Sequence, residues 1–475
     1  MLSKHDKMGR DQIEFISLED LVPRDHLVRK VEEAIDFDFI YELVEDKYSS
    51  NNGRPSVDPV VLFKMVFIQY LFGIRSMRQT IEEIKTNVAY RWFIGYPLNK
   101  DIPHFSTFSK NYERRFRDTD IFEQIFYRIL KEAMQKGLVD PDVAFIDSTP
   151  VKANANKKKY IKKTVRVETR SYQNKLEEEV NVDRIKHGKK PLKKSKSEDQ
   201  TKEVKESTTD PESGYYAKSE SEHMFAYSFH TACDKNGFVL GSLVTPGNVH
   251  DSQVLEPLFN QIKNKVSKPN VVAVDAGYKT APIAKFLYDE NVRPVMPYKR
   301  PLTKKGFLRK HEYVYDEYHD CYICPEGQIL NYKLTNRDGY KQYVSNPSIC
   351  VNCPLLSVCT ESSNYQKSIH RHIWEEHLEE AEHLRHTEIN REIYAKRKET
   401  IERVFADAKE KHGMRWTRYR GKEKVSAHAM LLFAAMNLKK LANWTWKPEA
   451  SKPFLPIKRI KPLINIKFMR GLSTV

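Results

Sequence analysis

The sequence contains no apolar run long enough to cross a membrane. Its longest apolar segment, residues 60–74, is interrupted by Lys64 and Gln69, whereas a membrane-spanning helix needs about 20 predominantly apolar residues. Charged residues near the N-terminus are not followed by the apolar stretch of a secretory signal. We therefore expect no membrane partner and a protein that stays in the reducing cytoplasm.

Cysteine is scarce, at six residues in 475, and five of the six lie between residues 301 and 366. A reducing compartment disfavours disulfides. Two C-x2-C pairs, separated by 25 residues, approximate the spacing of a zinc ribbon; they are formed by Cys321, Cys324, Cys350 and Cys353, with Cys359 as a fifth candidate. The spacing predicts a structural Zn²⁺ ion, and small buried thiols without metal are the alternative.

Positive charge is in excess. Lys+Arg outnumber Asp+Glu by 80 to 64, which gives a formal net charge of +16. This balance favours a polyanionic partner such as nucleic acid or an acidic membrane. Residues 152–210 alone hold 18 Lys+Arg against 10 Asp+Glu, with little apolar content. We predict that this segment is a flexible basic loop.

Residues from about 20 to 136 are predicted to be helical. Asp58 followed by Pro59 is typical of a helix start, and Ser76 with Gln79 is typical of a capping box. The length of the chain suggests about three domains. We expect the first of them to be this helical segment.

A short basic helix is predicted near the end of the helical segment. Ser106 is placed to cap it, and the helix would carry Lys110 and Arg114. Such a helix can enter a DNA groove. An ordinary solvated helix face is the alternative interpretation.

Short β-rich runs begin at residue 143. They are VAFIDS, MFAYSFHTACD, FVLGSLVTPG, NVVAVDAGY and VRPVMPY. The DKNG between the second and third runs is typical of a hairpin turn, and Asp251 is predicted to cap a helix after the third. The order of strands and helices predicts an α/β fold with helices packed on a mixed sheet.

Two of these runs end on an aspartate: VAFID on Asp147 and VVAVD on Asp275. Continuous apolar runs are typical of strands covered on both faces, and ligands in such sheets gather at strand ends. If the two strands are neighbours, their carboxylates would be about 5 Å apart and close enough to share metal ions. The alternative is that each acid caps the turn that follows it.

A third carboxylate lies on a predicted helix near the C-terminus. An apolar stripe at helical spacing predicts one buried face, formed by Ile401, Val404, Phe405 and Ala408. Glu402 and Lys409, seven residues apart, lie together on one flank of that helix. A surface pair without function is the alternative.

Four motifs together resemble the DDE transposases of bacterial insertion sequences, in the group with a Tyr-Arg-Glu-Lys signature: FIDSTPVKAN, TPGNVHDSQ, VVAVDAGY and IERVFADAKEKHGMRWTRYRG. Residues 53–98 resemble the N-terminal helical domain of that family. Residues 320–360 resemble a cysteine-bearing insertion in one subgroup. The resemblance therefore spans most of the chain.

The resemblance implies an RNase H-like catalytic core in which Asp147, Asp275 and Glu402 hold Mg²⁺ or Mn²⁺. Mg²⁺ prefers oxygen ligands, which carboxylates supply. Two such ions can stabilise negative charge on the attacking and leaving oxygens of a phosphodiester. The implied reaction is cleavage and rejoining of DNA.

The same resemblance implies DNA contacts around the last acid. Lys409 keeps the six-residue gap of the signature and would hold a phosphate, and Arg415 and Arg418 prolong the basic face. Tyr394 and Arg397 are the remaining DNA-gripping candidates. They lie one residue earlier than the signature places them, which is ~100° of rotation on a helix.

The predicted organisation divides the chain into a core with insertions. Its parts are a helical DNA-binding domain at 1–136, the RNase H-like core at 137–300 and 367–445 with the basic insertion 152–210, the Cys-rich insertion 301–366, and a basic tail at 446–475. The predicted function is a transposase that acts on double-stranded DNA, at terminal inverted repeats and target sites, as a homodimer in the bacterial cytoplasm. A nuclease that does not join strands and a non-catalytic DNA-binding relic are the alternatives.

Overall fold

The computed structural model describes residues 15–49, 56–166, 172–192, 201–217, 222–300 and 303–447. In these ranges the α-helices are α1 (Leu18–Leu21), α2 (Leu27–Ala34), α3 (Phe39–Val44), α4 (Pro59–Leu71), α5 (Met77–Thr86), α6 (Val88–Ile94), α7 (Ser106–Asn111), α8 (Ile121–Gln135), α9 (Gln173–Lys186), α10 (Leu255–Lys265), α11 (Ala281–Asp289), α12 (Pro347–Cys350), α13 (Leu356–Cys359), α14 (Glu375–Leu384), α15 (Glu388–Ala395), α16 (Ile401–Lys411) and α17 (Lys422–Thr445). None of them is long and apolar enough to span a bilayer. The predicted basic tail lies outside the described residues from position 448 onward.

The strands in the same ranges form three sheets. They are β1 (Val143–Lys152), β2 (Tyr160–Arg166), β3 (Thr201–Ser207), β4 (Gly214–Ala217), β5 (His223–Cys233), β6 (Val239–Pro246), β7 (Val271–Ala273), β8 (Arg293–Val295), β9 (Val314–Asp316), β10 (Cys321–Ile323), β11 (Ile329–Thr335), β12 (Tyr340–Val344) and β13 (Ser368–His372). Single 3₁₀ turns include Asp251–Gln253 and Lys396–Lys398, and Tyr112–Phe116 is a π-helical turn.

Capping side chains start two N-terminal helices where the sequence predicts. Asp58 Oδ1 accepts a hydrogen bond from the backbone N–H of Val60 at 2.7 Å, and Ser76 Oγ accepts one from that of Gln79 at 3.1 Å. Both predicted N-caps are confirmed. The capping box is not formed, because the Gln79 side chain donates to Glu83 Oε1 at 2.9 Å.

The predicted cap of the short basic helix is wrong. α7 begins at Ser106 itself, with Phe105 at the N-cap position and no capping side chain. The Ser106 hydroxyl bonds instead with Nδ1 of His104 at 2.8 Å. Lys110 on α7 and Arg114 on the following π-helical turn are both exposed.

The central sheet is mixed, with the strand order β6-β5-β1-β7-β8, and β4 also pairs with β5. β1, β7 and β8 are parallel to one another, β5 is antiparallel to β1, and β6 is antiparallel to β5. All five predicted strands are confirmed. A mixed sheet flanked by helices is consistent with the RNase H-like core that the resemblance implies.

Helices cover both faces of this sheet. On β1, Phe145 belongs to one buried cluster, whereas Ala144 and Ile146 belong to another. The first cluster extends through the N-terminal helices to α16 and α17, and the second includes side chains of α10 and α11. The N-terminal helices therefore share a continuous core with the sheet.

The prediction of a flexible loop at residues 152–210 is wrong for the described part of that segment. β2 and β3 pair as a two-stranded antiparallel sheet. α9 buries Leu176 and Val180 in a cluster with Ala281 and Trp374. Two apolar side chains one helical turn apart thus anchor a helix in a strongly basic segment. Residues 167–171 and 193–200 lie outside the described ranges.

A second sheet has the order β13-β12-β11-β10-β9, with every pair antiparallel. We call β9–β13 the Cys-rich sheet. Its edge strand β13 extends it beyond the predicted boundary at residue 366. The buried core of this sheet is small and consists of Tyr313, Tyr322, Leu330, Tyr343 and Ile369.

Candidate active site

Asp147 lies inside β1, which continues to Lys152, whereas Asp275 follows the end of β7 by two residues. The prediction that the first strand ends at Asp147 is therefore wrong. β1 and β7 pair in parallel, with Phe145 opposite Ala273. Continuing that register by two residues places Asp147 level with Asp275, and adjacent strands lie about 4.8 Å apart. The predicted adjacency of the two strands is confirmed, so both carboxyl groups belong to one sheet edge.

α16 places Glu402 near the same edge. The buried face of this helix is the predicted stripe of Ile401, Val404, Phe405 and Ala408, and Glu402 is exposed. Burial raises the pKa of the Tyr394 phenol, and the nearby Arg397 lowers it. The carboxylates of Asp275, Glu402 and Asp147 raise that pKa further. One hydroxyl is therefore within electrostatic reach of all three predicted acids.

Arg397 is buried against Asp147, with only 4% of its side chain exposed. Its Nη2 donates to Asp147 Oδ2 at 2.7 Å, whereas Nη1 has no hydrogen-bond partner among the described residues. The 3₁₀ turn Lys396–Lys398 and the irregular backbone of Thr400 separate α15 from α16. A buried ion pair differs from the predicted contact with DNA.

Asp147 has a raised pKa. Burial raises the pKa of Asp147 from 3.8 to about 6 against the lowering effect of Arg397, and the charges of Asp275 and Asp251 also raise it. Ionisation of this carboxyl therefore costs more in the folded chain than in water, and additional positive charge nearby would offset that cost.

The sequence-based prediction missed a fourth acid, Asp251. It was expected to cap a helix, but it begins a 3₁₀ turn in which the His250 side chain accepts from the backbone N–H of Ser252 at 3.2 Å. The predicted N-cap is wrong. A Cβ built on Gly277 would lie 3.2 Å from Asp275 Oδ1 and 3.3 Å from Asp251 Oδ2, so these two carboxylates face the same small space.

Lys409 lies along β1 beside the acids. Its Nζ donates to Thr149 Oγ1 at 2.6 Å. Thr149 follows Asp147 by two residues and shares its face of the strand. Lys409 is about 10 Å along the helix from Glu402. Both ends of α16 therefore border the same strand.

The chain after α16 continues beside the end of β1. Trp416 forms a bridge with Lys152, and its side chain is 47% exposed. Arg418 lies over its ring at 5.4 Å from the centroid. Arg415 forms an exposed ion pair with Glu410. This stretch presents basic and aromatic groups to solvent.

The cysteines of the Cys-rich sheet do not form one cluster. All are free thiols, and Cys321 is buried whereas Cys324 and Cys359 are half-buried. Cys359 Sγ lies 3.1 Å from the Tyr313 hydroxyl. Burial raises the pKa of Tyr313, and Cys359 and Cys324 raise it further. Two thiols thus approach one tyrosine, and Cys321 is not among them.

Within the described ranges, no group of three or more His, Cys, Asp or Glu side chains is arranged to hold a metal ion. This finding covers both the acids of the sheet edge and the four cysteines predicted to bind zinc, Cys321, Cys324, Cys350 and Cys353. Zinc binding by those thiols stays a prediction from spacing.

The chemistry at the sheet edge nevertheless fits an oxygen-preferring divalent cation. Asp147, Asp251 and Asp275 offer oxygen donors, and burial together with the charge of Asp275 raises the pKa of both Asp147 and Asp251. Arg397 supplies one buried positive charge on one side. Mg²⁺ usually keeps several waters and takes one or two carboxylates, so it does not require three protein ligands closed around it.

Two family models match parts of the chain. Residues 16–114 match one described as a transposase domain (DUF772), and residues 323–442 match one described as a transposase DDE domain. The second match includes Glu402 and Lys409, whereas Asp147, Asp251 and Asp275 lie outside both. No curated protein matches the sequence.

Proposed function

The chain belongs to the DDE transposases of insertion sequences, and we propose that it cuts phosphodiester bonds at the ends of its own element and joins those ends to target DNA. The supporting observation is that Asp147 and Asp275 share one sheet edge and that both, with Glu402, lie within electrostatic reach of Tyr394. Phosphodiester attack develops negative charge on two oxygens, which carboxylates alone cannot stabilise.

Asp147, Asp275 and Glu402 would hold Mg²⁺ or Mn²⁺. When bound, such ions stabilise charge on the attacking and leaving oxygens and activate water or a 3′-hydroxyl. The contribution of the chain is positioning: β1 and β7 fix two carboxylates, and α16 fixes the third. The 2.7 Å bond from Arg397 orients the carboxylate of Asp147.

DNA is proposed to lie along the surface that follows β1. Lys409, next to Thr149, would hold a phosphate beside the cleaved bond as a point charge. Arg415 and Arg418 would contact neighbouring phosphates, and Trp416 has enough exposed surface to stack on a base. Tyr394, 36% exposed, would contact DNA at the edge of the site.

The N-terminal helices are proposed to bind double-stranded DNA as well. Lys110 and Arg114 are exposed on consecutive turns and would contact phosphates. Two copies would act together, because two ends of one element must be brought to one place. The reaction would take place on nucleoid DNA in the cytoplasm.

A structural zinc ion is proposed for the Cys-rich sheet. The small core of this sheet would gain from such a cross-link. Cys324 and Cys359 both lie near Tyr313, so the ligand set is expected to include them. Cys321 is buried in β10 and is the weakest candidate.

A strand-transfer assay tests the proposed function. The substrates are linear DNA ending in the inverted repeats that flank the coding sequence, a target plasmid and Mg²⁺. We expect joined products from the natural chain, none from Asp147→Ala with DNA binding retained, and normal yield from Asp142→Asn, an acid before the opposite end of β1. Cleavage without joining would favour the nuclease, and equal activity of Asp147→Ala would refute catalysis at this site.

A further inference from the structure

We propose that Asp251 is a fourth carboxylate of the active site, which holds the divalent cation together with Asp275 while His230 and Ser148 orient it. This inference rests on the proposed function. It adds a residue that lies outside the three acids implied by the family resemblance.

The strand before Asp251 runs in the same direction as the strands that carry the other two aspartates. β5 is antiparallel to β1, and β6 is antiparallel to β5, so β6 runs parallel to β1. The three strands therefore run in the same direction, although β7 ends level with Phe145 of β1 and β6 continues to the level of Val151. Asp251 follows β6 by five residues, and the chain after β6 brings its carboxylate beside that of Asp275 at Gly277.

The space between Asp251 and Asp275 is kept open by a glycine. Modelling a Cβ on Gly277 brings it within 3.3 Å of an oxygen of each carboxylate, which is tighter than ordinary packing. Gly277 N–H also donates to Asp275 Oδ1 at 2.9 Å, which fixes one side of the space. Two carboxylates facing a gap of this size form a pair of oxygen ligands of the kind that Mg²⁺ and Mn²⁺ accept.

Two polar side chains contact the carboxylate of Asp251. His230, with no exposed surface, places Nδ1 3.5 Å from Asp251 Oδ1 and Nε2 2.9 Å from Thr245 Oγ1. Ser148, directly opposite His230 in the β1–β5 pairing, forms a side-chain hydrogen bond with Asp251. A His and a hydroxyl that orient a carboxylate from outside are typical supports of a metal ligand.

An unsatisfied donor indicates that the site is built for a further ligand. Arg397 is almost fully buried and directs its guanidinium at Asp147, yet Nη1 has no partner within the described residues. Buried donors are nearly always paired in folded proteins. An acceptor such as a phosphate oxygen or water, which DNA and cation would bring, satisfies this donor.

Mn²⁺ titration of the full-length, metal-free protein tests the proposal without DNA. The electron paramagnetic resonance signal of free Mn²⁺ reports binding. We expect Asp251→Asn to weaken Mn²⁺ affinity about tenfold or more, Asp251→Glu to recover part of the loss, and Asp142→Asn to bind normally. Gly277→Ala keeps every carboxylate but fills the gap, and it should weaken binding as well.

The DNA-cleavage assay gives a second readout. For Asp251→Asn we expect the Mg²⁺ concentration at half-maximal rate to rise about tenfold, with a much smaller fall in the rate at saturating Mg²⁺. A purely structural role would lower the unfolding temperature and the saturated rate and leave the Mg²⁺ dependence unchanged.

The outcomes separate this inference from the proposed function. If Asp147→Asn loses Mn²⁺ binding while Asp251→Asn and Gly277→Ala bind like the natural chain, the role of Asp251 is refuted and the proposed function stands. If no variant, including Asp147→Asn, alters binding or cleavage, both proposals fail. Should Asp251→Asn not fold, Asp251→Glu takes its place: weakened Mn²⁺ binding supports the role of Asp251, and unchanged affinity refutes it.

Discussion

The sheet edge that carries Asp147 and Asp275 and the Cys-rich sheet hold their chemically active side chains in different ways. Asp147 continues a strand whose Phe145 and Ile146 are buried in clusters on opposite faces. Cys324 and Cys359 lie instead on a turn and at the end of a four-residue helix. A large core fixes the acids in the absence of any metal, whereas a small core leaves the thiols dependent on local contacts. Metal removal should therefore affect activity in one region and folding in the other.

The largest effect is expected from Glu402→Gln. Glu402 is exposed on α16, so its loss should leave stability unchanged while DNA cleavage falls on the order of 10³-fold or more, since a metal-ion contribution is worth several kcal/mol. Cleavage rates at saturating Mg²⁺ and unfolding temperatures measure the two effects. Glu399→Gln, at an exposed acid just before this helix, is the matched control and should cut normally.

In the Cys-rich sheet, loss of a metal ligand should lower stability instead of activity. We expect Cys324→Ser to lose bound zinc and to destabilise the sheet, because Cys324 lies with Cys359 at Tyr313, whereas Cys321→Ser should keep its zinc. Metal analysis of the purified chains and limited proteolysis of residues 303–372 measure both effects. Absence of zinc from the natural chain would instead favour buried thiols without metal.

The buried carboxyl of Asp147 at the sheet edge is also expected to lower the stability of the fold, and this effect can be measured. Burial raises the pKa of Asp147 to about 6, so the folded state binds a proton more tightly than the unfolded state. Its ionisation therefore weakens folding as the pH rises from about 4 to 6, and the loss is complete above pH 6. Asp147→Asn stays neutral, and without divalent cations it should be more stable than the natural chain at pH 8, by roughly 3 kcal/mol at most.

Denaturant unfolding in chelator at pH 8 and near pH 4 measures this difference. Most of the gain should disappear at the lower pH, where Asp147 is protonated in the folded state and partly protonated in the unfolded state. Asp142→Asn, before the other end of β1, should show no such gain. A variant less stable at pH 8 than the natural chain would mean that the ion pair with Arg397 outweighs the burial of Asp147.

The smallest effect is expected from replacing an exposed aromatic residue. One such residue in each region allows a comparison of DNA binding. Trp416 is 47% exposed next to Lys152, and Tyr318 in the Cys-rich sheet is 91% exposed. Trp416→Ala should weaken DNA binding by about 1–3 kcal/mol without loss of stability, whereas Tyr318→Ala should bind normally. Equal losses in both variants would show that DNA covers the two regions alike.

The sequence was sufficient wherever a local pattern and a core coincided. The apolar runs predicted all five strands of the central sheet, and the stripe from Ile401 to Ala408 predicted the buried face of α16. The adjacency of the strands before Asp147 and Asp275 is also confirmed. In each case the periodicity that specifies the element also specifies the side that is buried.

The sequence-based predictions that failed concern residues whose surroundings are set by tertiary contacts. Asp251 resembles a helix cap in the sequence, and only the folded chain shows that its carboxylate lies beside that of Asp275 at Gly277. Leu176 and Val180 look isolated in a basic tract, yet Trp374, about 200 residues later, completes their cluster. Local spacing in the sequence reveals neither the contact between two distant acids nor a packing partner that lies far along the chain.

We propose that Asp147, Asp275 and Glu402 surround one cation, and the position of a bound ion can be measured directly. Replacing Mg²⁺ with Fe²⁺ in the full-length protein and adding ascorbate with peroxide cleaves the backbone close to the bound ion, and mapping the fragments locates it. The account predicts cuts near residues 147, 275 and 402 that excess Mg²⁺ suppresses and that Asp147→Asn removes. Absence of cuts at these positions, or cuts that survive in Asp147→Asn, would contradict it.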